Sequence, residues 1–389
     1  MPDKKKILIS CSAPGSLIQF RGKLIEELLK NHIVFVFTPE ITNEVMRLKL
    51  IQMGVIIYEN NLQRNNISIA SDLKYIIALG KVIRKIKPDV FFSYTFKPLI
   101  FGSIVASLFR VKTKVAMLTG LGYNFADEAK SLSKLITQRL LRFSLKFNSG
   151  LKVVFQNVDD YNELLQRNII SKQTKTYIVN GSGVDLDFYK YSKPDIEEIK
   201  FLLIARLIKA KGVEEFHEAA KIIHRKYPLV KFSIVGPFND NQIDSINFDL
   251  YHEIVNSDFI DYTGWVEDVR PFIEKTSVVV LPSYREGTPR SVLEGMAMGR
   301  AIITTDTAGC RQTINNDPNL MNGYLVPVKS ITELVSKMES LILNPADIVQ
   351  FGINSRTFVE QKFDVHQVNK EMLRILLPST DLVEISTLL

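Results

Sequence analysis

Cysteine is scarce in this chain of 389 residues: only Cys11 and Cys310 are present, and they stand far apart in the sequence. So few cysteines exclude a disulfide-stapled secreted domain and favour a protein that works in a reducing compartment. We expect each thiol to fill a small space in a hydrophobic core rather than to act as a nucleophile.

Long apolar runs are also missing. The longest, residues 98–109, is interrupted and too short to span a bilayer. The first residues, Met-Pro-Asp-Lys-Lys-Lys, lead into a short apolar strand rather than into the long apolar region of a signal peptide. We therefore expect a cytoplasmic protein, bound peripherally to the inner face of the cytoplasmic membrane where it meets lipid.

Glycine-rich and metal-binding patterns are absent as well. The loop after the first apolar run, residues 11–16, contains a single glycine, Gly15, and lacks G-x-G-x-x-G, which argues against a dinucleotide-dependent oxidoreductase. The five histidines, at positions 32, 217, 224, 252 and 366, show none of the usual metal-ligand spacings. We expect neither a metal nor a cofactor.

Charge is unevenly distributed along the chain, whose formal net charge is +7. Residues 1–180 hold 27 Lys and Arg against 13 Asp and Glu, a balance of +14, whereas the remainder holds 22 against 29, a balance of −7. The asymmetry indicates that the first half faces an anionic partner, unless it reflects only a drift in surface composition. Because the basic residues are not interleaved with aromatics in a recognisable module, we expect no nucleic-acid partner.

Short apolar runs alternate with helical periodicities over most of the chain, which predicts two parallel, doubly wound α/β sheets. Polar residues 180–188 separate the two series, so the expected domains are 1–190 and 191–363, followed by a helix and tail at 364–389. The predicted strands are residues 6–10, 33–37, 55–58, 90–93, 113–118, 151–155, 176–179, 201–205, 230–236, 260–266, 278–281 and 301–304. The main predicted helices are residues 17–30, 41–53, 68–87, 97–109, 128–147 and 213–227.

The predicted helix at residues 128–147 is amphipathic and basic. Its apolar residues recur at helical spacing, and they are Leu132, Leu135, Ile136, Leu140, Phe143 and Phe147. Cations fill much of the remainder, namely Lys130, Lys134, Arg139, Arg142 and Lys146. Such a helix either seeks an anionic membrane surface or is an ordinary domain helix whose apolar face packs inward.

The most informative stretch, residues 285–299, follows the apolar run 278–281 and carries two carboxylates, Glu286 and Glu294. Pro289 and Ser291 open a helix there, since proline is tolerated in the first turn and serine caps helices. Ligands of open α/β sheets sit beyond the carboxyl ends of the strands, and a helix start favours phosphate. The pattern predicts a nucleotide-sugar site, with the phosphate at the helix start and the carboxylates near the sugar hydroxyls.

Two cations, Arg206 and Lys211, lie in the loop that follows the apolar run 201–205. Arginine binds phosphates bidentately and lysine acts as a point charge, so the pair suits a diphosphate. Together with the N–H groups at the helix start near residues 288–291, the pair would neutralise a leaving diphosphate without a metal ion. Stabilisation of developing charge is typically the largest catalytic term.

Four of these residues match the motif of a known enzyme family. The Glu286-x7-Glu294 pair, with Arg206 and Lys211, resembles the donor site of the family 4 retaining glycosyltransferases. The resemblance implies the α/β fold called GT-B: two Rossmann-like domains facing across a cleft, with a C-terminal helix that crosses back to the first domain. It implies catalytic roles for Glu286, Arg206 and Lys211. The residues implied in binding the nucleotide sugar are Gly15, Arg206, Lys211, Gly236, Val266, Glu286, Gly287, Thr288, Pro289, Arg290 and Glu294.

Residues 264–269 and 302–306 are similar to a subgroup that extends polyprenyl-diphosphate-linked sugars. The same subgroup carries the Thr-Gly-Leu-Gly found at residues 119–122, where this chain has no histidine. The resemblance therefore implies acceptor contacts from Thr119, Gly120, Tyr123 and Lys97. It also favours front-face attack with retention, in which the leaving phosphate takes the acceptor proton; a carboxylate nucleophile is the alternative.

The expected function is transfer of a sugar, an N-acetylhexosamine, from a UDP-sugar to a polyprenyl-diphosphate-linked saccharide in surface polysaccharide or glycan assembly, with retention of configuration. The expected partners are this donor, this acceptor and an anionic membrane surface that meets the basic first domain. Two alternatives stay open. A UDP-N-acetylhexosamine epimerase on the same fold would consume the UDP-sugar without an acceptor, and a non-catalytic nucleotide-sugar-binding protein would keep the fold without turnover.

Overall fold

The computed structural model describes residues 4–62, 69–125, 132–146, 148, 150–240 and 244–378. The chain forms two compact units. Unit 1 comprises Met1–Ser182 and His366–Leu389, and unit 2 comprises Gly183–Val365. The chain thus passes between units at residues 182–183 and 365–366, whereas the sequence placed the boundaries near 190 and 363. Among the described residues, no helix is both long and apolar enough to cross a bilayer.

Unit 1 is built on a parallel sheet of seven strands. The strands are β1 (Lys6–Ser10), β2 (Ile33–Pro39), β3 (Ile56–Asn60), β4 (Val90–Tyr94), β5 (Thr113–Leu118), β6 (Leu151–Phe155) and β7 (Lys175–Ile178). Their order across the sheet is β3-β2-β1-β4-β5-β6-β7, so the direction of winding reverses between β1 and β4. The sequence predicted the bounds of β1, β5 and β6 correctly.

The helices of unit 1 connect these strands. They are α1 (Ser16–Gln19), α2 (Gly22–Leu29), α3 (Glu44–Gln52), α4 (Ile69–Ile86), α5 (Ser103–Leu108), α6 (Leu132–Lys146) and α7 (Val158–Gln166), with a π-helical turn at Pro98–Gly102 before α5. The single helix predicted for residues 17–30 is wrong. It breaks at Arg21, whose backbone is not helical and whose buried side chain donates from Nη2 to Met117 Sδ at 2.9 Å.

Unit 2 contains a second parallel sheet, of six strands. The strands are β8 (Lys200–Ile204), β9 (Lys231–Val235), β10 (Ile260–Gly264), β11 (Val278–Leu281), β12 (Ala301–Thr305) and β13 (Gly323–Val326), in the order β10-β9-β8-β11-β12-β13. Its helices are α8 (Val213–Lys226), α9 (Phe248–Val255), α10 (Arg270–Glu274), α11 (Arg290–Ala297), α12 (Ile331–Leu343) and α13 (Pro345–Lys362). A last helix, α14 (Val365–Leu376), follows.

Both sheets are covered on both faces, which explains the continuous apolar runs in the sequence. In β1, Ile7 and Ile9 point into one hydrophobic core of unit 1, and Leu8 points into another on the opposite face. This alternation is the period of two that a strand imposes on its side chains. In β11, Val278, Val279 and Val280 are all fully buried.

Helix α14 returns to unit 1. Its residues Met372, Ile375 and Leu376 are buried in the same core as Ile7 and Ile9. The Nζ of Lys152, in β6, donates to the carbonyl of Ile375 at 2.7 Å. The predicted return of the C-terminal helix to the first domain is therefore confirmed.

Helix α6 packs one side on the unit 1 core and leaves several of its apolar residues exposed. The residues that face the unit 1 core are Lys134, Leu141, Ser144 and Leu145, all buried. The residues turned outward are Leu135, Ile136, Arg139, Leu140, Arg142, Phe143 and Lys146, which we call the α6 outer face. Among its apolar members the exposed fraction runs from 36% at Leu140 to 54% at Phe143. Lys134, one of the five cations of the predicted helix, is thus buried, whereas Arg139, Arg142 and Lys146 are exposed. Residues 128–131, the Leu132 side chain and Phe147 lie outside the described residues.

Candidate functional site

The candidate site lies at the carboxyl ends of β8 and β11. These two strands are neighbours at the centre of the unit 2 sheet, where the direction of winding reverses. At such a switch point, the loops that follow the two strands leave in opposite directions and open a crevice for ligands. The loop after β8 holds Arg206 and Lys211, and the loop after β11 holds Glu286.

The loop after β8 is anchored in its middle and at the end that leads into α8. Gly212 has φ +69°, and a Cβ there would lie 2.2 Å from the carbonyl oxygen of Pro282, so glycine is required for this approach to the end of β11. Asp244 holds the middle of the loop: its carbonyl accepts from Lys209 N at 2.8 Å, and its Oδ2 accepts from Ala210 N at 2.9 Å. The loop therefore presents Lys211 to the β11 loop in a fixed position.

The loop after β11 is held as firmly. Ser283 is fully buried, and its Oγ lies 2.9 Å from Ala210 O and 2.8 Å from Glu286 Oε1. The backbone N–H of Glu286 donates to the carbonyl of Ala308 at 3.2 Å. These contacts set the direction of the Glu286 carboxylate.

The two loops meet in an ion pair between Lys211 Nζ and Glu286 Oε1. Both side chains are largely shielded from solvent, with 21% and 13% of their surfaces exposed. The Arg206 side chain is exposed and has no ion-pair or hydrogen-bond partner among the described residues. The basic and acidic turns therefore converge, with one cation compensated and the other open to a ligand.

Helix α11 begins immediately after this loop. Pro289 occupies the N-cap position and provides no side-chain hydrogen bond. Ser291 lies inside the first turn, so the expectation that serine caps this helix is wrong. The first turn of an α-helix carries N–H groups without an intrahelical partner and the positive end of the helix dipole, which together favour an anion.

Glu294, five residues into α11, is buried and bonded. Its Oε1 accepts from Tyr189 Oη at 2.8 Å and from Arg290 Nε at 2.8 Å. Two effects raise the pKa of Tyr189 well above its ordinary value: burial is the larger, and the negative charge of Glu294 is the second. The phenol therefore stays protonated and donates to the carboxylate at physiological pH.

The other residues of unit 2 that are predicted to bind the nucleotide sugar lie at the same edge of the sheet. Gly287 and Thr288 lie in the β11 loop beside Glu286. Gly236 follows β9 with φ +151°, and a Cβ there would lie 1.8 Å from Ala205 O, so it allows the loops after β8 and β9 to approach. Val266 is half-buried two residues beyond β10. Each lies at the carboxyl end of a strand.

The residues predicted in unit 1 form a different set. Gly15 precedes α1, and a Cβ there would have nothing within 4 Å. Thr119 and Gly120 are half-buried after β5, whereas the Tyr123 side chain lies outside the described residues. Lys97 forms an ion pair with Asp72 at 2.7 Å within the unit.

Sequence reasoning missed Ser283, Asp244 and Tyr189. Ser283 directly follows a buried strand, which is a signal that could have identified it. Asp244 and Tyr189 reach the site only through tertiary contacts. An Asp-x-Asp sequence also occurs at Asp185 and Asp187, where Asp185 Oδ1 accepts from the N–H groups of Asp187 and Phe188 and so shapes a turn.

A group of potential metal ligands lies elsewhere, on α8 and α9. One ring nitrogen of His217 and one carboxylate oxygen each of Glu218 and Glu253 lie within 4.8 Å of one another. By contrast, the loops after β8 and β11 bring together one carboxylate and one ammonium group. That combination suits a polar organic anion better than a divalent cation.

Two family models match the chain. The model described as glycosyl transferases group 1 covers residues 198–344, and the one described as glycosyl transferase 4-like covers residues 18–154. The chain belongs to the family 4 glycosyltransferases. It is a glycosyltransferase enzyme, and its two parallel-sheet domains have the GT-B fold, as predicted.

Relatives of this glycosyltransferase include a Campylobacter jejuni protein named N,N'-diacetylbacillosaminyl-diphospho-undecaprenol alpha-1,3-N-acetylgalactosaminyltransferase. It is 28% identical over 347 residues, which cover 85% of this chain and 87% of the relative. An Escherichia coli protein named UDP-Gal:alpha-D-GlcNAc-diphosphoundecaprenol alpha-1,3-galactosyltransferase is 26% identical, with 70% and 71% covered. The solved structure of Anabaena HepE with UDP and glucose superposes with a TM-score of 0.75 at 18% identity, covering 96% of this chain and all of that one.

Proposed function

We propose that this glycosyltransferase moves an N-acetylhexosamine from a UDP-sugar to a polyprenyl-diphosphate-linked saccharide, with retention of configuration, in surface polysaccharide or glycan assembly. The Lys211–Glu286 ion pair carries the proposal. It joins a cation suited to a diphosphate and a carboxylate suited to sugar hydroxyls at the switch point of one sheet.

The donor diphosphate would lie between the β8 loop and the start of α11. Arg206, whose side chain has no partner among the described residues, would bind it bidentately, and Lys211 would exchange part of its interaction with Glu286 for the phosphate. The N–H groups near residues 288–291 would complete the cradle. These fixed charges stabilise the diphosphate as it leaves, without a metal ion.

Two carboxylates would position the sugars. Glu286, held by Ser283 and Lys211, would accept hydrogen bonds from the transferred sugar, and Glu294, held by Tyr189 and Arg290, would accept them from ribose. Because Glu286 is held by two donors, we assign it to binding rather than to nucleophilic attack. Retention then proceeds by front-face attack, with the leaving phosphate as the base.

The choice of sugar and acceptor is supported by the named relatives. The Campylobacter jejuni relative is named as an N-acetylgalactosaminyltransferase acting on a diphospho-undecaprenol-linked sugar, and a second relative from this bacterium is named as another N-acetylgalactosaminyltransferase with an undecaprenol-linked acceptor. The Escherichia coli relative is named for UDP-galactose. We therefore rank UDP-N-acetylgalactosamine first among donors.

The test begins with thermal stabilisation of the full chain by a panel of UDP-, GDP- and ADP-sugars. Transfer to a synthetic polyprenyl-diphosphate sugar follows, and NMR of the product gives the anomeric configuration. We expect the strongest stabilisation by UDP-N-acetylhexosamines and an α-linked product from an α-linked donor. Consumption of the UDP-sugar without an acceptor would favour the epimerase, and binding without turnover would favour the non-catalytic protein.

We propose further that the α6 outer face docks on an anionic bilayer. Apolar side chains and cations share this face: Leu135, Ile136, Leu140 and Phe143 can enter the acyl boundary while Arg139, Arg142 and Lys146 meet the headgroups. Each cation near an anionic surface contributes roughly 1 kcal/mol. The enzyme would then work as a peripheral protein on the cytoplasmic face, where a lipid-linked acceptor is within reach.

Flotation with liposomes containing phosphatidylglycerol tests this docking. We expect the double variant R139E/R142E to lose most of its binding and F143S to weaken it. Matched controls are R225E and L229S, which change an exposed arginine and an exposed leucine of unit 2. Unchanged flotation of the α6 variants would contradict the docking proposal and leave the transfer reaction untouched.

A further inference from the structure

Tyr189 connects the first residues of unit 2 to the middle of α11. Its ring is buried in the unit 2 core, where it packs edge-on against Phe188 with centroids 5.1 Å apart. Its hydroxyl donates to Glu294 Oε1 at 2.8 Å across 105 residues of sequence. Because the Tyr189 side chain is buried, the hydrogen bond to Glu294 replaces the bonds that its hydroxyl would make to water.

The backbone of Tyr189 is fixed with respect to the same helix. Arg356 Nη1 donates to the Tyr189 carbonyl at 3.1 Å and to the Ala297 carbonyl, at the last residue of α11, at 2.8 Å. The Tyr189 N–H donates to Asp185 O at 2.9 Å. Tyr189 therefore contacts α11 directly at Glu294 and through Arg356 at its end, so the hydroxyl reaches the carboxylate from a rigid base.

Both described bonds to the Glu294 carboxylate converge on one oxygen. Tyr189 Oη and Arg290 Nε each lie 2.8 Å from Oε1. A carboxylate offers about four acceptor positions on its two oxygens. Donors gathered on Oε1 fix the plane of the group and thereby the direction in which Oε2 is presented to a ligand.

We propose that Tyr189 is a positioning residue for nucleotide binding: its hydroxyl orients the Glu294 carboxylate to accept the ribose hydroxyls of the donor. This inference rests on the proposed function, because it takes Glu294 as the ribose ligand. Tyr189 touches no substrate itself. Its loss should weaken ground-state and transition-state binding of the nucleotide equally, and so raise KM for the donor and leave kcat nearly unchanged.

The test is a comparison of UDP with 2′,3′-dideoxy-UDP as ligands, by isothermal titration calorimetry on the full chain. Tyr189→Phe keeps the buried ring and removes only the hydroxyl. The matched control is Tyr227→Phe, because Tyr227 Oη makes the same kind of bond to a carboxylate, Glu339 Oε1, at 2.7 Å on another part of unit 2. Glu294→Gln reports the full contribution of the carboxylate.

We expect wild type and Y227F to prefer UDP over the dideoxy ligand by about two orders of magnitude, since a hydrogen bond to a charged group is strong. In Y189F this preference should fall about tenfold, through weaker UDP binding alone, and the donor KM should rise by the same factor. A merely structural role would lower the melting temperature without changing the ribose preference. Wild type that fails to bind any nucleoside diphosphate would overturn the proposed function and this inference together; Y189F with the wild-type ribose preference would overturn this inference alone.

Discussion

The two units share a topology but differ in what they place at the switch point. In unit 2, the loops after β8 and β11 carry the Lys211–Glu286 ion pair. In unit 1, the loops after β1 and β4 carry hydroxyls: Ser12 Oγ donates to Thr95 Oγ1 at 2.8 Å, and Ser16 Oγ lies 3.0 Å from Tyr94 Oη. The same backbone arrangement therefore joins the two loops by an ion pair in unit 2 and by hydroxyl contacts in unit 1, where the charge of Lys97 is paired with Asp72 of α4.

The contrast runs against the overall charge of the two halves. Residues 1–180 are strongly basic and the remainder is acidic, yet the ionic switch point lies in the acidic half. Net charge thus describes surfaces and long-range steering, whereas the chemistry of a site depends on the few side chains at the strand ends. We associate the ionic switch point with a diphosphate and the hydroxyl-lined one with an uncharged saccharide.

The largest expected effect is the loss of the ionic switch point. K211A and E286A should each lower the rate of sugar transfer by about two to three orders of magnitude, because each removes a fixed group that acts on the reacting donor. Steady-state kinetics with the preferred donor measures this, and circular dichroism checks the fold. The matched control is K226A, which breaks the exposed Lys226–Glu339 ion pair of the same unit. Normal turnover in both site variants would show that the site is misassigned.

A smaller loss is expected for Arg206. R206A should lower transfer by about ten- to a hundredfold, since a bidentate phosphate contact is removed from a site where Lys211 remains. Because the Arg206 side chain is exposed and has no partner among the described residues, the melting temperature of R206A should equal that of wild type. R206K separates charge from geometry: recovery of less than half the lost activity would support bidentate binding, and full recovery would contradict it.

The hydroxyl-lined switch point of unit 1 can be tested at Thr95, a non-glycine residue with φ +68°. Its Oγ1 accepts from both the N–H and the Oγ of Ser12. T95A should cost about 1–2 kcal/mol of unfolding free energy and raise the acceptor KM severalfold, with the donor KM unchanged. T95S keeps the hydroxyl and should behave like wild type. A rise in the donor KM instead would contradict the assignment of the donor to unit 2 and of the acceptor to unit 1.

The smallest effect concerns Cys310, beside the ionic switch point. Burial, with a contribution from Glu286, raises its pKa from 9.0 to about 11. The thiol loses its proton less readily in the folded protein than in the unfolded chain, so a rise in pH favours the unfolded chain. The contribution of Cys310 to the free energy of unfolding is therefore complete below about pH 9 and is lost as the pH rises towards 11. Between pH 8 and 9.5, urea denaturation should show about 1 kcal/mol more loss for wild type than for C310A. If the free energy of unfolding fell equally with pH in wild type and C310A, the pKa of Cys310 would not be raised by folding.

The sequence predicted the sheets well and the arrangement of side chains less well. Continuous apolar runs such as Val278–Leu281 identify buried strands because few other structures hide every side chain. Glu286 and Lys211 were predicted from their places after such strands. The direction of α6 was left open because its apolar positions suit either a core or a membrane. The Tyr189–Glu294 bond was missed because no local pattern links residues 105 positions apart.

The position of UDP in a crystal structure of the complex is the decisive measurement. We predict that the diphosphate lies within hydrogen-bonding distance of Arg206 and Lys211 and at the first turn of α11, with the ribose hydroxyls on Glu294. A diphosphate bound elsewhere, with the Lys211–Glu286 ion pair undisturbed, would contradict it.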